Sequence, residues 1–600
     1  MAQHDSPPIA DRLAALRAEM KTAGLDFYLV PSSDAHQSEY LPECWQRRAY
    51  ITGFTGSVGS AVIGRDAAWL WADSRYWLQA ENELDASCYT LMRQGDSDVP
   101  SIPRFLARYA EGRVVGFDPM LHTPNEASAL SDALAGAGAR LVAVDNLIDR
   151  IWTTDRPPVP EAPVTPWPAE LSGRTLSDKL AGLRADLENE GADHLVVATL
   201  DELAWTFDLR GQDVDFNPVT IAWGLVSRDG AHLFIESSKL TGPAQSHLAA
   251  ASVELAPYEA FGNALSTLRG KVLVDKDHAN RWILDRLENN PDATVKLARS
   301  PVQLARAIKS AAERDGMRNA HRRDAAAVVR FLAWLDDNYD GLDEVSAADH
   351  LESFRKENEH FRGLSFDTIA GFGPNGAIVH YRASDKTKLK IGDSTLFLLD
   401  SGAQYLDGTT DITRTLHLGT PTATQREHYT RVLRGHLALG RAVFPKGTTG
   451  THLDALARLP LWEVGLNYGH GTGHGVGCYL SVHQGPHRVS PALNDVALEP
   501  GMVLSNEPGL YLTGEYGIRI ENLVLVTERF AKSERHPLGP YYGFEDLTVV
   551  PYCRKLIDVA LLSPEERQQV DAYHRRVFEL VAPLLEGAAR AWLERETAPL

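Results

Sequence analysis

Five side chains suited to holding metal lie in one stretch, Ala370 to Val526: Asp400, Asp411, His474, Glu507 and Glu521. Four carboxylates and one imidazole suit two hard or borderline divalent ions about 3.5–4 Å apart. Four negative charges balance two dications and leave room for a hydroxide between them. Without a cation, the same acids repel one another and their pKa values rise. Oxygen-rich ligation with a single nitrogen favours manganese-like ions over structural zinc, which prefers Cys and His. Each acid alone reads as a solvated or capping residue at a strand end. The five together carry the signal.

The elements that must position them are legible in outline. Asp400 closes the apolar run Leu396-Phe397-Leu398-Leu399, which its bounding turn residues mark as a buried strand. Asp407-Gly408 signals a turn, and Asp411 opens Asp411-Ile412-Thr413-Arg414-Thr415-Leu416. The reading is a hairpin with the two aspartates roughly opposite each other. Gly517 to Val524 reads as one strand, whose period of two puts Arg519 and Glu521 on one face. Glu507 follows Met502-Val503-Leu504, and Pro508-Gly509 breaks that strand. His474 comes from His470-Gly471-Thr472-Gly473-His474-Gly475-Val476-Gly477, where glycines let the backbone approach a site closely. This run lacks the Gly-Lys-Ser/Thr ending of a phosphate loop. The chain has no His-Glu-x-x-His, so it is not a zincin.

Four segments carry a specific resemblance: Asp400-Ser401-Gly402-Ala403-Gln404-Tyr405 through Asp411, the glycine run around His474, Asn506-Glu507-Pro508-Gly509, and Ile518-Arg519-Ile520-Glu521-Asn522. They resemble the pita-bread metallopeptidases, and within these the long, three-domain cytosolic aminopeptidase P (Xaa-Pro aminopeptidase) family. The resemblance spans nearly the whole chain and matches all five ligand positions. It implies an α/β (α+β) chain with two related creatinase-type N-terminal α/β domains. A pita-bread catalytic domain follows, with a curved, mainly antiparallel sheet covered by helices. The implied reaction removes the first residue of peptides that have proline second, with a hydroxide bridging two metals as nucleophile. The implied ions are manganese, with zinc or cobalt as alternatives. Asp400 and Asp411 would hold one ion, Asp411 and Glu521 would bridge, and His474 and Glu507 would complete the other.

The same resemblance assigns further roles. Glu507 would relay a proton. His380, in Gly373-Pro374-Asn375-Gly376-Ala377-Ile378-Val379-His380-Tyr381, and His483, in Ser481-Val482-His483-Gln484-Gly485-Pro486, would face the oxyanion or the proline end. His470 is either catalytic or a brace for the loop that holds His474. Arg75, in Trp71-Ala72-Asp73-Ser74-Arg75-Tyr76, would reach the peptide, against the plainer reading of a surface ion pair. Arg519 would orient Glu521 or Tyr511. In the second domain Leu200 to Gly211 and Asn217-Pro218 also match; they are read as structural, with Trp205 as core. A homodimer is implied in the same way. The competing readings are a prolidase, restricted to dipeptides, and a metal-free pita-bread interaction module.

Length and composition set the outer bounds. At 600 residues the chain holds several domains. A net charge of −20 argues against nucleic acid as a main partner, because phosphate binding needs basic surface. No run of about 18 apolar residues occurs, so no membrane span is expected. The opening Met1 to Pro8 has no basic or apolar segment and is not read as a signal peptide. Cys44, Cys88, Cys478 and Cys553 have no paired spacing, which fits a reducing, cytoplasmic setting.

The expected domains are 1–156, 157–299 and 300–600, with a C-terminal extension over about 551–600. Segments 16–30 and 183–197 share six of fifteen residues, including a Gly-x-Asp step, which favours a duplication. Six prolines between Asp155 and Pro168 mark the first linker. Ser300-Pro301 reads as a helix start, with a helix running through Leu335 and Val328, Phe331, Leu332 and Leu335 on one face. Pro537 to Gly543 reads as a loop and Leu547 to Val550 as a strand. Ser563 to about Arg595 reads as helical.

Overall fold

The computed structural model describes residues 7–600, so the opening stretch read as lacking a signal peptide falls largely outside them. The chain forms two compact units: Met1–Ala169 with Arg174–Gln303, and Glu170–Gly173 with Leu304–Leu600.

The first unit contains two six-stranded sheets of identical topology. In chain order within each sheet, strands one to six lie as four-three-two-one-five-six. The central strands are Phe27–Pro31 and His194–Val197. Each pairs antiparallel with the next strand in its sheet and parallel with the fifth. Phe27 and Leu29 join one apolar cluster while Tyr28 and Val30 join another, so the first sheet is covered on both faces. The repeated Gly-x-Asp step has a mechanical reason. Gly24 (φ 69°) and Gly191 (φ 59°) take the left-handed conformation where each helix ends. Two residues on, Asp26 accepts a hydrogen bond from Val114 N at 2.9 Å, and Asp193 accepts one from Lys271 N at 2.8 Å. In both sheets, that bond ties the central strand to its parallel neighbour. The proline-rich linker forms only the two-residue strand Thr165–Pro166, paired with Leu209–Arg210. Trp205 is buried, as read.

The second unit is built from short antiparallel ladders backed by helices. Its principal core joins helices Ala311–Asn338, Glu344–Lys356, Ala423–Gly440 and Pro564–Val581 to strands Leu396–Ser401 and Ile412–His417. Val328, Phe331, Leu332 and Leu335 are all buried there. Each contributes roughly 1.5–3 kcal/mol.

Several expectations are corrected. The helix from Pro301 stops at Ala307, and a new one begins at Ala311 under a Ser310–Glu313 capping box. Between them, Lys309 N bonds Gly501 O at 3.0 Å instead of continuing the helix. The stretch read as a loop contains the start of strand Tyr541–Asp546, whereas Leu547 to Val550 forms no ladder. Leu523 O accepts from Leu547 N at 2.8 Å, and side chains meet much of the rest of the 547–550 backbone: Arg414 Nη2 donates to Val550 O at 2.7 Å, and the Tyr573 hydroxyl donates to Thr548 O at 3.1 Å. The C-terminal helical stretch breaks after Val581, because Pro583 has no N–H, and resumes over Gly587–Glu596. Among the described residues, none of the four cysteines forms a disulfide. Among the described residues, no helix is long and apolar enough to cross a membrane.

Candidate metal centre

Strand ends and partner switches bring the acids together. In the Leu396–Ser401 ladder, Asp400 pairs with Thr413 and Ser401 with Ile412. Asp411 therefore lies just beyond the ladder instead of opposite Asp400. Residues 402–410 leave this sheet, and Ala403–Tyr405 and Gly408–Thr409 close a separate small hairpin. Gly402 permits the exit, since a Cβ there would lie 2.1 Å from both Ser365 Oγ and Thr410 O. Glu521 is not inside a continuous strand either. Tyr516–Arg519 pairs with Gly509–Leu512, Asn522–Phe530 pairs with Val503–Asn506, and Ile520-Glu521 is the junction. Glu507-Pro508 is the matching junction on the other side. Both glutamates thus sit where a long hairpin changes partners and its ladder opens.

Ligand atoms of Asp411, His474 and Glu521 lie within 4.8 Å of one another. His474 Nε2 is 3.5 Å from Asp411 Oδ2 and 3.4 Å from Glu507 Oε1. The His474 Nδ1 faces Gly475 O at 3.0 Å and so carries the proton. Burial, with His483 nearby, holds the His474 pKa well below its ordinary value. A neutral imidazole therefore turns its Nε2 lone pair toward two carboxylate oxygens. That arrangement is repulsive unless a proton or a cation lies among the three groups. Asp400 gives Oδ2 to Arg519 Nη2 at 2.6 Å, while its Oδ1 is buried without a hydrogen-bond partner.

Burial first, and then the neighbouring acids, push the Asp411 and Glu521 carboxyls well above the usual range. Burial likewise pushes Glu507 up to about 7. For Arg519, burial alone would lower the pKa. Tyr511, Asp400, Glu507 and Glu521 outweigh it and keep the guanidinium charged. One arginine against four acids leaves a deficit of positive charge. The orphaned Asp400 oxygen, the converging lone pairs and the oxygen-rich donor set fit divalent cations.

The other expected residues fall into four groups. His483 stacks edge-on against His474, with ring centroids 4.3 Å apart. His470 and Arg519 meet through Tyr511: the phenol accepts from Arg519 Nη1 at 2.7 Å and donates to His470 Nε2 at 2.8 Å. His380 follows the tight turn Gly373–Ala377, one residue after Val379, whose carbonyl is 3.5 Å from Arg519 Nη2. Arg75 belongs to the first unit, where it forms a two-pronged pair with Asp73 at 2.9 and 2.7 Å.

Two supporting residues were missed. Thr413 Oγ1 donates to Glu521 Oε2 at 2.7 Å and accepts from Arg519 Nε at 3.1 Å. Ser505 Oγ accepts from His474 N at 2.9 Å and donates to Glu507 Oε1 at 3.1 Å. Thr413 and Ser505 each lie two residues from an acid, so the strand period could have flagged them.

The sequence pattern of metallopeptidase family M24 matches residues 315–528, and that of its C-terminal region matches 540–600. The creatinase/prolidase N-terminal domain matches twice, over 12–151 and 155–313. A probable Xaa-Pro aminopeptidase P from Fusarium vanettenii is 45% identical, with 98% of each chain covered. The chain belongs to metallopeptidase family M24. A relative of the same description from Sordaria macrospora is 46% identical over 98% of this chain and 99% of its own. Among solved structures of the family, an X-prolyl aminopeptidase from Caenorhabditis elegans matches 99% of this chain and 100% of its own. It is 35% identical with a TM-score of 0.94, and is described as a cytosolic enzyme with a di-nuclear active site. An Xaa-Pro dipeptidase from Bacillus anthracis matches only 63% of this chain, at 25% identity and a TM-score of 0.51. The two N-terminal matches agree with the duplicated sheet topology.

Proposed function

We propose that this enzyme removes the N-terminal residue from peptides whose second residue is proline, with two divalent metal ions in the centre described above. The observation that carries the metal centre is the convergence of Asp411, His474 and Glu521 in a region short of positive charge. Full-length likeness to Xaa-Pro aminopeptidases supports the substrate class. Asp400, Asp411, His474, Glu507 and Glu521 would hold the ions, manganese first and zinc or cobalt as alternatives. When bound, the ions supply a lowered pKa for water and a polarised peptide carbonyl.

The chain's own residues do the rest. The Glu507 carboxylate accepts a proton as attack begins and returns it to the departing proline nitrogen. That nitrogen is a secondary amine and must be protonated as it leaves; in the intact bond it carries no N–H for a pocket to grip. His380 and His483 donate hydrogen bonds to the developing oxyanion or seat the proline ring. His470, through Tyr511, and Arg519 keep Asp400 oriented. Arg75 contributes to peptide binding. The domain limits 1–156, 157–299 and 300–600, a cytoplasmic setting and a homodimer belong to this reading. Light scattering of the purified protein tests the dimer.

The second reading, a prolidase, has the support of a shared metal-binding fold but matches a smaller part of the chain. Release of arginine from Arg-Pro-Pro, with Gly-Pro left intact, is the result expected of an aminopeptidase. Cleavage of Gly-Pro alone would establish the prolidase instead.

A further inference from the structure

Glu344 is the first residue of helix Glu344–Lys356, which Asp343 caps. An acid in a first helical turn ordinarily faces water, where the helix dipole favours it. Glu344 is instead 0% exposed. Its carboxylate accepts from Phe372 N at 2.7 Å, Asn375 Nδ2 at 2.9 Å, the Tyr381 hydroxyl at 2.8 Å and Leu389 N at 2.8 Å. All four donors lie in 372–389, the segment that carries His380. Asn375 Nδ2 also donates to the Tyr381 hydroxyl at 2.9 Å, so the donors are tied to one another.

The opposite side of the segment is fixed by backbone contact. A Cβ on Gly517 would fall 1.7 Å from Gly376 O, so strand Tyr516–Arg519 lies directly against the turn Gly373–Ala377. His380 hangs between clamped points, with Arg519 reaching the Val379 carbonyl on one side and Glu344 holding Tyr381 on the other. Burying a carboxylate is costly and is offset only where donors converge on it. Tethering a loop does not require that expense, whereas fixing a reacting side chain to within a fraction of an ångström does.

We propose that Glu344 is a positioning residue: through Asn375 and Tyr381 it sets the place of the His380 imidazole for the peptidase reaction. This rests on the reading of His380 as a substrate contact. Glu344→Gln keeps the shape but turns one acceptor into a donor facing other donors. Tyr381→Phe removes a single hydroxyl.

The test is a double-mutant cycle on the metal-loaded full chain, with Arg-Pro-Pro as substrate. The variants are Glu344→Gln, Tyr381→Phe, His380→Ala and the two pairs that include His380→Ala. Glu344→Gln is expected to lower kcat by about 10- to 100-fold with little change in KM. Tyr381→Phe is expected to lower it less. Neither should cause any further loss once His380 is alanine. Losses that multiply in the double variants, or an unchanged kcat in Glu344→Gln, overturn the proposal and leave the reading of His380 intact. An unchanged kcat in His380→Ala overturns both. If Glu344→Gln does not fold, Tyr381→Phe carries the cycle alone.

Discussion

Two regions of the molecule bury aspartates and resolve the charge in opposite ways. Beside the second sheet of the first unit, in the helices and loops around it, each of two buried aspartates has its own buried lysine. Lys239 meets Asp213 at 2.8 Å, with both side chains at most 1% exposed, and Lys179 meets Asp208. In the candidate metal centre, four acids share one arginine and a neutral histidine. The first arrangement is complete as folded. The second is complete only when cations from outside join it. Buried acids alone therefore do not mark a metal site; several buried acids crowded together, with too few bases or hydrogen-bond donors to satisfy them, do.

The comparison breaks most visibly at Asp411. Asp411→Ala should abolish peptide hydrolysis, a fall of about 10³-fold or more in kcat/KM. The circular dichroism spectrum should stay unchanged, and the metal-free variant should melt no lower than the metal-free parent. The matching change in the first unit should act the other way. Lys239→Met removes the ammonium from Asp213, leaving the buried charge only the donors Thr220 Oγ1, Ile221 N and Ala162 N, and should cost about 3–5 kcal/mol of stability in urea unfolding. A loss below about 1 kcal/mol would mean that the two regions do not differ as described.

The pH dependence sharpens the contrast. A carboxyl whose pKa is higher folded than unfolded takes up a proton on folding. Stability then falls as pH rises from the unfolded value through the folded one. For Glu507 that window runs from its ordinary 4.5 to about 7, and Asp411 and Glu521 shift in the same direction. The chelated protein should therefore lose melting temperature as pH rises from about 4.5 to 7. The metal-loaded protein should not, so the gap between the two curves widens with pH. A smaller effect is expected at Arg519. Arg519→Met removes the bonds to Asp400, Thr413 and Tyr511 and should weaken metal affinity by about 10- to 100-fold, read by competition with a chelating dye.

Much of this centre was legible in the sequence because its signals are local. The apolar run before Asp400, the glycines around His474 and the proline after Glu507 each mark a strand end or a tight turn. The spacing of Val328, Phe331, Leu332 and Leu335 placed the helix behind the core for the same reason. What stayed hidden depends on pairing between distant segments. Nothing in Gly517 to Val524 announces that its first half pairs with Gly509–Leu512 and its second with Val503–Asn506, so the junction at Glu521 could not be read. Glu344 looked like any acid in a first helical turn, since its four donors lie 28 to 45 residues away along the chain. Pro583 ends the helix from inside a pattern that is otherwise helical on both sides, so periodicity alone masks the break.

The measurement that bears most directly on the account is metal content coupled to activity in the same preparation. Protein stripped with a strong chelator should release no arginine from Arg-Pro-Pro. Titration with Mn²⁺ should restore the rate as two ions bind per chain. A stripped preparation that keeps its full rate would contradict the account.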